Sequence, residues 1–332
     1  MIRLCCRVEI RREWLDEEGL FGASTWTVEK VESIEITGDG DSLQGTCIIK
    51  LPKNARWGVS GSEIPIRRGD NVRVWLGYDG VLKLRFVGYV KEVAAKTPTV
   101  ITCEDEMMRL RQKAAKQKMY NSVTLSQLLD EQLEGMDIVR YDRESEAEVQ
   151  LGSLRIEATT VAGVLSELKQ NYGITSCFAL VDDVPTLYCF TVLPALRRNA
   201  GKFEEGVNII SNSLEYRRSE DVQVKIKGVS IQEDNSRIEY SEGEGEERTI
   251  YRYGLNMNEL KVAVKNELKR DKWSGLQGEF ETFGMPRVEK MDVLDLYAAG
   301  TRGRYRVKGV NISFGSDGYR QKIQLKERLV EL

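Results

Sequence analysis

Between residues 69 and 93 the chain reads as a β-hairpin written in alternation. Gly69-Asp70-Asn71 opens it as a turn, and Val72, Val74 and Leu76 then alternate with Arg73, Trp75 and Gly77. Side chains on a strand point alternately to opposite faces, so this pattern gives one apolar face and one mixed face. Asp79-Gly80 follows where a two-residue turn with two positive φ angles is needed, a conformation those residues accept. The return strand alternates Leu82, Leu84 and Phe86 with Lys83, Arg85 and Val87, then continues through Gly88-Tyr89-Val90. A third strand over 99–103 runs into Glu104-Asp105-Glu106. An antiparallel meander with one apolar face cannot stand alone in water and must pack against a second layer.

The same grammar recurs at both ends of the chain. Residues 33–36 alternate polar with apolar before the turn cluster Gly38-Asp39-Gly40, and 45–51 reads as a second strand. In the last third, Val222, Val224 and Ile226 alternate with Gln223, Lys225 and Lys227, and strands are expected at 293–297, 304–312 and 321–325. Alternation changes phase at Gly309, which predicts a β-bulge or a barrel corner. The middle differs. Leu125, Leu128, Leu129 and Leu133 behind Thr124, and Val161, Val164, Leu165 and Leu168 between Thr160 and Tyr172-Gly173, are amphipathic helices with cap and stop residues. A further helix carries Leu260, Val264 and Leu268. SEGEGEE at 241–247 is expected to be an acidic, glycine-rich loop. The fold class is therefore mainly β with α insertions (α+β).

The two β-rich regions rhyme. Asp70 opens a strand and Gly88 lies 18 residues on; Asp292 opens a strand and Gly309 lies 17 residues on. Cys103-Glu104-Asp105 and Leu325-Lys326-Glu327 close the two regions in the same way. An internal repeat of this kind suits two antiparallel barrels that close their edges or lend an edge to a neighbouring subunit.

Composition removes several functions. The chain has no histidine, which excludes Ser-His-Asp triads, Cys-His proteases and HExxH metallopeptidases. Six cysteines form no CxxC pair, so buried thiols are expected and no metal or cofactor is. SEGEGEE lacks the spacing of an EF-hand. A net charge of −3 gives no general attraction to nucleic acid. No stretch reaches the roughly 20 apolar residues of a membrane span, and the first residues lack a signal-peptide core, so synthesis in the cytoplasm is expected. Carboxylate chemistry survives these cuts, but Glu104-Asp105-Glu106 reads as a solvated strand end, because neighbouring side chains diverge. A carbohydrate- or nucleic-acid-binding barrel stays open as an alternative, with Trp57, Trp75, Tyr78 and Tyr89 as a stacking platform.

The run IRRGDNVRVWLGYDGVLKLRFVGYVKEV at 66–93, then Ile101-Thr102-Cys103-Glu104-Asp105, resembles the phage late control D family. So do Leu154-Arg155-Ile156 with TVAGVLSELKQNYG at 160–173, and the close from Gly284-Met285-Pro286 through Tyr305-Arg306-Val307 to 318–325. These segments follow the family's order over most of the chain, which is also similar to the hub portion of type VI secretion spike proteins. The resemblance implies two tube-type antiparallel β-barrels related by an internal repeat, with amphipathic helices between and around them. It implies a first barrel over 1–112, completed by about 206–235, a helical segment 113–205 belonging to the second barrel, and the rest of that barrel over 236–332. It implies a non-enzymatic baseplate hub: a homotrimer that adapts a hexameric tail tube to a trimeric, separate spike protein, in a virion or injection particle, with a channel for the genome. The loop 52–65 is the expected contact with a neighbouring ring, through Asn54, Arg56 and Trp57.

Overall fold

The computed structural model describes residues 2–15, 21–52, 65–94, 97–190 and 199–329. The expected ring-contact residues Asn54, Arg56 and Trp57 lie outside the described residues. Strands dominate, with few helices, as the alternation predicts.

The first part contains β1 (Leu4–Leu15), β2 (Phe21–Val28), β3 (Ser33–Asp39), β4 (Thr46–Leu51), β5 (Asn71–Tyr78), β6 (Val81–Ala94), β7 (Thr99–Glu104) and the short α1 (Met107–Gln112). The hairpin β5–β6 turns on Asp79 (φ 50°) and Gly80 (φ 84°), both left-handed, as its two residues foretell. Val72, Val74 and Leu76 are fully buried. The return strand departs from simple alternation: Leu84, Arg85, Phe86 and Val87 are all buried. Val74 faces Phe86 while Trp75 faces Leu84, so Arg85 is the extra residue of a bulge and is re-aimed inward.

The middle part holds β8 (Lys118–Thr124), α2 (Leu125–Gln132), β9 (Val139–Arg140), α3 (Arg143–Glu148), β10 (Gln150–Ile156), α4 (Val161–Tyr172), β11 (Thr175–Val181) and β12 (Val184–Phe190). Both predicted caps form. Thr124 makes a reciprocal capping box with Gln127, and the Thr160 hydroxyl accepts from the Gly163 N–H at 3.1 Å. Gly173 ends α4 at φ 67°. The apolar stripes of α2 and α4 bury Leu125, Leu128, Val161, Val164 and Leu165 in a core of their own.

The last part runs β13 (Asn199–Glu204), β14 (Ile209–Arg217), β15 (Val224–Ile231), β16 (Arg237–Gly243), β17 (Glu246–Tyr253), α5 (Met257–Asp271), β18 (Gly275–Phe283), β19 (Val293–Ala298), β20 (Thr301–Gly315) and β21 (Gly318–Leu329). SEGEGEE is not the loop its composition suggests. Its ends are strand, β16 and β17, which flank β15 on opposite sides, and Gly243 and Gly245 take the positive φ angles that redirect the chain between them. Leu260 and Val264 of α5 pack this small sheet against Ile226 and Ile250.

Thirteen strands join in one sheet, in the order β14-β18-β21-β20-β3-β4-β7-β6-β5-β1-β2, with β19 on β20 and β13 on β19. Its hydrogen bonds trace no closed barrel among the described residues. The segment expected to finish the first unit, 206–235, joins later strands instead: β14 pairs with β18, and β15 with β16 and β17. Two stretches of this sheet have the same internal order, β3-β4-β7-β6-β5 and β14-β18-β21-β20-β19. They meet where the far half of β20 pairs antiparallel with β3, Ile312 opposite Ile36. Both stretches face one shared core, in which Ile49, Val72, Val74 and Ile101 meet Phe280, Tyr305, Val307 and Ile323.

Candidate functional site

Each stretch is pinned by an aspartate just before a strand. The Asp70 carbonyl accepts from the Val90 N–H at 2.9 Å, the Val90 carbonyl accepts from Gly69 N–H at 2.8 Å, and the Asp70 carboxylate accepts from Arg67 N–H at 2.8 Å. In the second stretch the Asp292 carbonyl accepts from Val307 N–H at 2.8 Å, the Val307 carbonyl from Met291 N–H at 3.0 Å, and the Asp292 carboxylate from Glu289 N–H at 2.8 Å. Gly69 and Met291 both sit at positive φ, 92° and 71°. Both carboxylates are buried. Arg12 reaches Asp70 with two hydrogen bonds of 2.7 Å, a planar fork that holds the guanidinium charged.

These bonds equate Val90 with Val307, rather than Gly88 with Gly309 as the spacing in sequence suggests. The discrepancy has a local cause: β5 is two residues longer than β19, the return strand lengthens to match, and the Arg85 bulge adds one more. The bulge expected at Gly309 is present against β21, between Val307 and Gly309, and β6 carries its twin against β7, between Val90 and Glu92.

Beyond these corners, several strand edges are open among the described residues, those of β2 and β13 included. Among those residues β14 forms a ladder with β18 on one side only and is largely exposed, with Tyr216 at 53% and Ile210 at 43% exposure. The end of β6, 91–94, pairs with β7 but has no strand on its other side among the described residues. A row of unpaired backbone N–H and C=O groups is a template for another strand.

Glu104-Asp105-Glu106 is buried rather than solvated, because β7 runs straight into α1 beneath the helical core. Glu104 is held by Lys91 (2.5 Å) and Arg111 (2.6 Å), and Glu106 by Tyr89 and Arg109, each at 3.2 Å. Asp105 accepts from the Gly45 and Met107 N–H groups at 2.7 and 3.1 Å; burial pushes its carboxyl up to about 6, against the pull of Lys290 and those bonds. All three serve the fold. Tyr78 and Tyr89 are committed too: the Tyr78 hydroxyl donates to the Tyr319 carbonyl at 2.8 Å and accepts from Gly284 N–H, and Tyr89 carries the Arg109 guanidinium on its face. Cys6, Cys47, Cys103 and Cys177 are buried free thiols, and burial raises each. No cluster suited to a metal occurs among the described residues, and no helix there is long and apolar enough to cross a membrane. A surface cleft of about 1400 Å³ beside β13 and β19 has many cations, but Arg304 is paired with Asp295 (3.0 Å) and Arg306 with Glu327 (3.4 Å).

No protein-family model matches the sequence, and no curated protein matches it. Solved structures do. A tail protein of prophage MuSo2 from Shewanella oneidensis aligns over 96% of this chain and 98% of its own, with TM-score 0.60 and 15% identity. A tail protein from Neisseria meningitidis aligns over 98% and 96%, with TM-score 0.62 and 13% identity. The chain has the fold of prophage tail proteins. That fold extends to a chain of the Francisella PdpA–VgrG complex, aligned over 98% of this chain at TM-score 0.59 and 8% identity; this chain spans 58% of that one. The resemblance noted in the sequence, to a baseplate hub and to the hub portion of spike proteins, is thus matched by the fold.

Proposed function

We propose that the chain is a structural, non-enzymatic hub of a contractile phage tail baseplate or a related injection machine. It works as a homotrimer between the hexameric tube and a trimeric spike. The observation that carries this reading is the duplicated strand order with its two matching aspartate corners. It supports an internal repeat of two tube-type units, β3–β7 and β14 with β18–β21, so that three chains offer six similar units to a six-fold ring and three of each kind to a three-fold one. The helical middle part and the sheet β15–β17 are insertions on that frame. Prophage tail neighbours aligned over nearly their whole length support the tail setting, and the spike-complex neighbour supports a spike as partner. The loop 52–65, with Asn54, Arg56 and Trp57, contacts the adjoining ring in this account, and the product resides in the assembled particle after synthesis in the cytoplasm.

Mass measurement of the purified chain, alone and with the spike protein encoded beside it, tests the proposal. A trimer in either condition supports it; a dimer or a lasting monomer in both overturns it.

A further inference from the structure

The cleft beside β13 and β19 holds more positive charge than the fold neutralises. Among the described residues, seven cations and three carboxylates line its volume of about 1400 Å³. Arg304 with Asp295 and Arg306 with Glu327 account for two of each. No ion pair among the described residues takes Lys202, Lys269, Lys272, Arg302 or Arg328. Arg328 donates to neutral carbonyls, those of Ser274 and Arg302, each at 3.2 Å. The Arg302 guanidinium lies over the Tyr297 ring, 4.9 Å from its centroid. Lys269 in the last turn of α5 and Lys272 just after it are exposed. Against these five cations stands one remaining carboxylate, Glu204.

We propose that this cleft binds an extended acidic segment of a partner protein, whose carboxylates pair with the five cations. Charge acts within a Debye length, about 8–10 Å at physiological salt. The local excess therefore outweighs, at the cleft, the net charge of −3 carried by the whole chain. Phe203, Trp273 and Leu296 give the cleft a buried apolar floor against which the stems of such a segment can pack. Its volume exceeds the roughly 300–1,000 Å³ of a small-molecule pocket and admits a length of chain.

Two other occupants suit the cleft less well. A nucleic-acid strand needs open aromatic faces on which its bases stack. Here Arg217 lies over Trp273, Arg302 lies over Tyr297, and Phe203 is buried. Phosphates also recur at every nucleotide, whereas Glu204, Asp295 and Glu327 are interleaved with the cations. A peptide can set neutral side chains against those three. A second copy of this chain would offer the acidic stretch SEGEGEE, but that stretch is already engaged within its own sheet. Glu247 pairs with Lys225 at 2.8 Å, and the Glu242 carboxylate accepts from the Tyr240 hydroxyl at 2.8 Å.

Occupation of the cleft needs no ring, so it is tested apart from the hub reading. A fluorescein-labelled peptide of alternating glutamate and alanine is titrated with the full-length chain at low salt, and its anisotropy is followed. Wild type binds it, and added salt weakens the binding. Lys269→Glu with Lys272→Glu lowers affinity about tenfold, and that variant binds the matching lysine–alanine peptide instead. Arg68→Glu with Arg155→Glu makes the same change of charge on exposed residues outside the cleft lining and leaves affinity unchanged. All four positions are exposed, so both variants keep the wild-type urea midpoint. No binding by wild type, or an equal loss in both variants, overturns the proposal. Tighter binding of labelled oligothymidylate overturns it in favour of nucleic acid. Self-association abolished by Lys269→Glu with Lys272→Glu overturns it in favour of a second copy. A chain that never forms a trimer overturns the hub reading and leaves this one standing.

Discussion

Asp105 shows at a single residue how the β sheet and the helical part are fastened. Its carboxylate bridges the Gly45 N–H on one side and the start of α1 on the other, at a site where desolvation raises it to about 6 from an ordinary 3.8. A folded-state value above the unfolded one means that the folded chain binds more protons between about pH 4 and 6. Stability contributed by this group is thus fully present below pH 4, falls as pH rises through 6, and stays lost above. Two units correspond to roughly 3 kcal/mol at most. Asp105→Asn loses one acceptor but also the titration, so its stability deficit against wild type should shrink by about 2–3 kcal/mol between pH 4 and 7, read by urea unfolding at each pH. Asp70→Ala should cost about 2–3 kcal/mol in the same assay at neutral pH, since it strips Arg12 and the Arg67 N–H of their buried acceptor. The residue types at these positions were plain in the sequence; their burial was not. Three acids in a row look solvated, and only the strand-to-helix step under a second core puts them inside.

At the level of elements, the strands and helices that alternation and caps announce are those that form. The hairpin at Asp79-Gly80 and the caps at Thr124 and Thr160 are local signals, decided by residues within a turn of one another. What escaped was non-local. SEGEGEE became strand because β15 offers two edges, and Arg85 turned inward because the bulge shifts its phase. The bulge predicted at Gly309 did appear. Gly88 lies outside the bulges of β6 and serves a close approach instead: a Cβ there would lie 2.1 Å from the Glu104 carbonyl oxygen. Gly88→Ala should therefore force β6 from β7 and lower the midpoint of urea unfolding, by the equivalent of about 2 kcal/mol or more. Faster amide exchange in β7 than in β4–β3 would trace the loss to that ladder.

For the whole molecule, the two stretches are tied by Arg85, whose guanidinium reaches from β6 to the Val288 carbonyl at 3.0 Å, with Glu289 at 3.8 Å and the Gln321 side chain at 3.4 Å. Arg85→Ala should cost roughly 3 kcal/mol and open the shared core, whereas Arg85→Met, which keeps the packing, should cost less; urea unfolding separates the two. The Asp-strand spacings rhyme in the sequence, but the correspondence of Val90 with Val307 does not show there, because unequal hairpins and a bulge displace it by residues that composition cannot count. Equally hidden was the fusion of the two stretches through β20 and β3, since pairing between strands almost three hundred residues apart leaves no local trace. In the proposed hub, that fusion lets each chain act as one segment of the ring. The most direct measurement is therefore the native mass of the full chain at high concentration. This account predicts a closed species of three times the 37.8 kDa chain, alone or once the spike protein is added; a species that remains at one chain, or stops at two, in both conditions would contradict it.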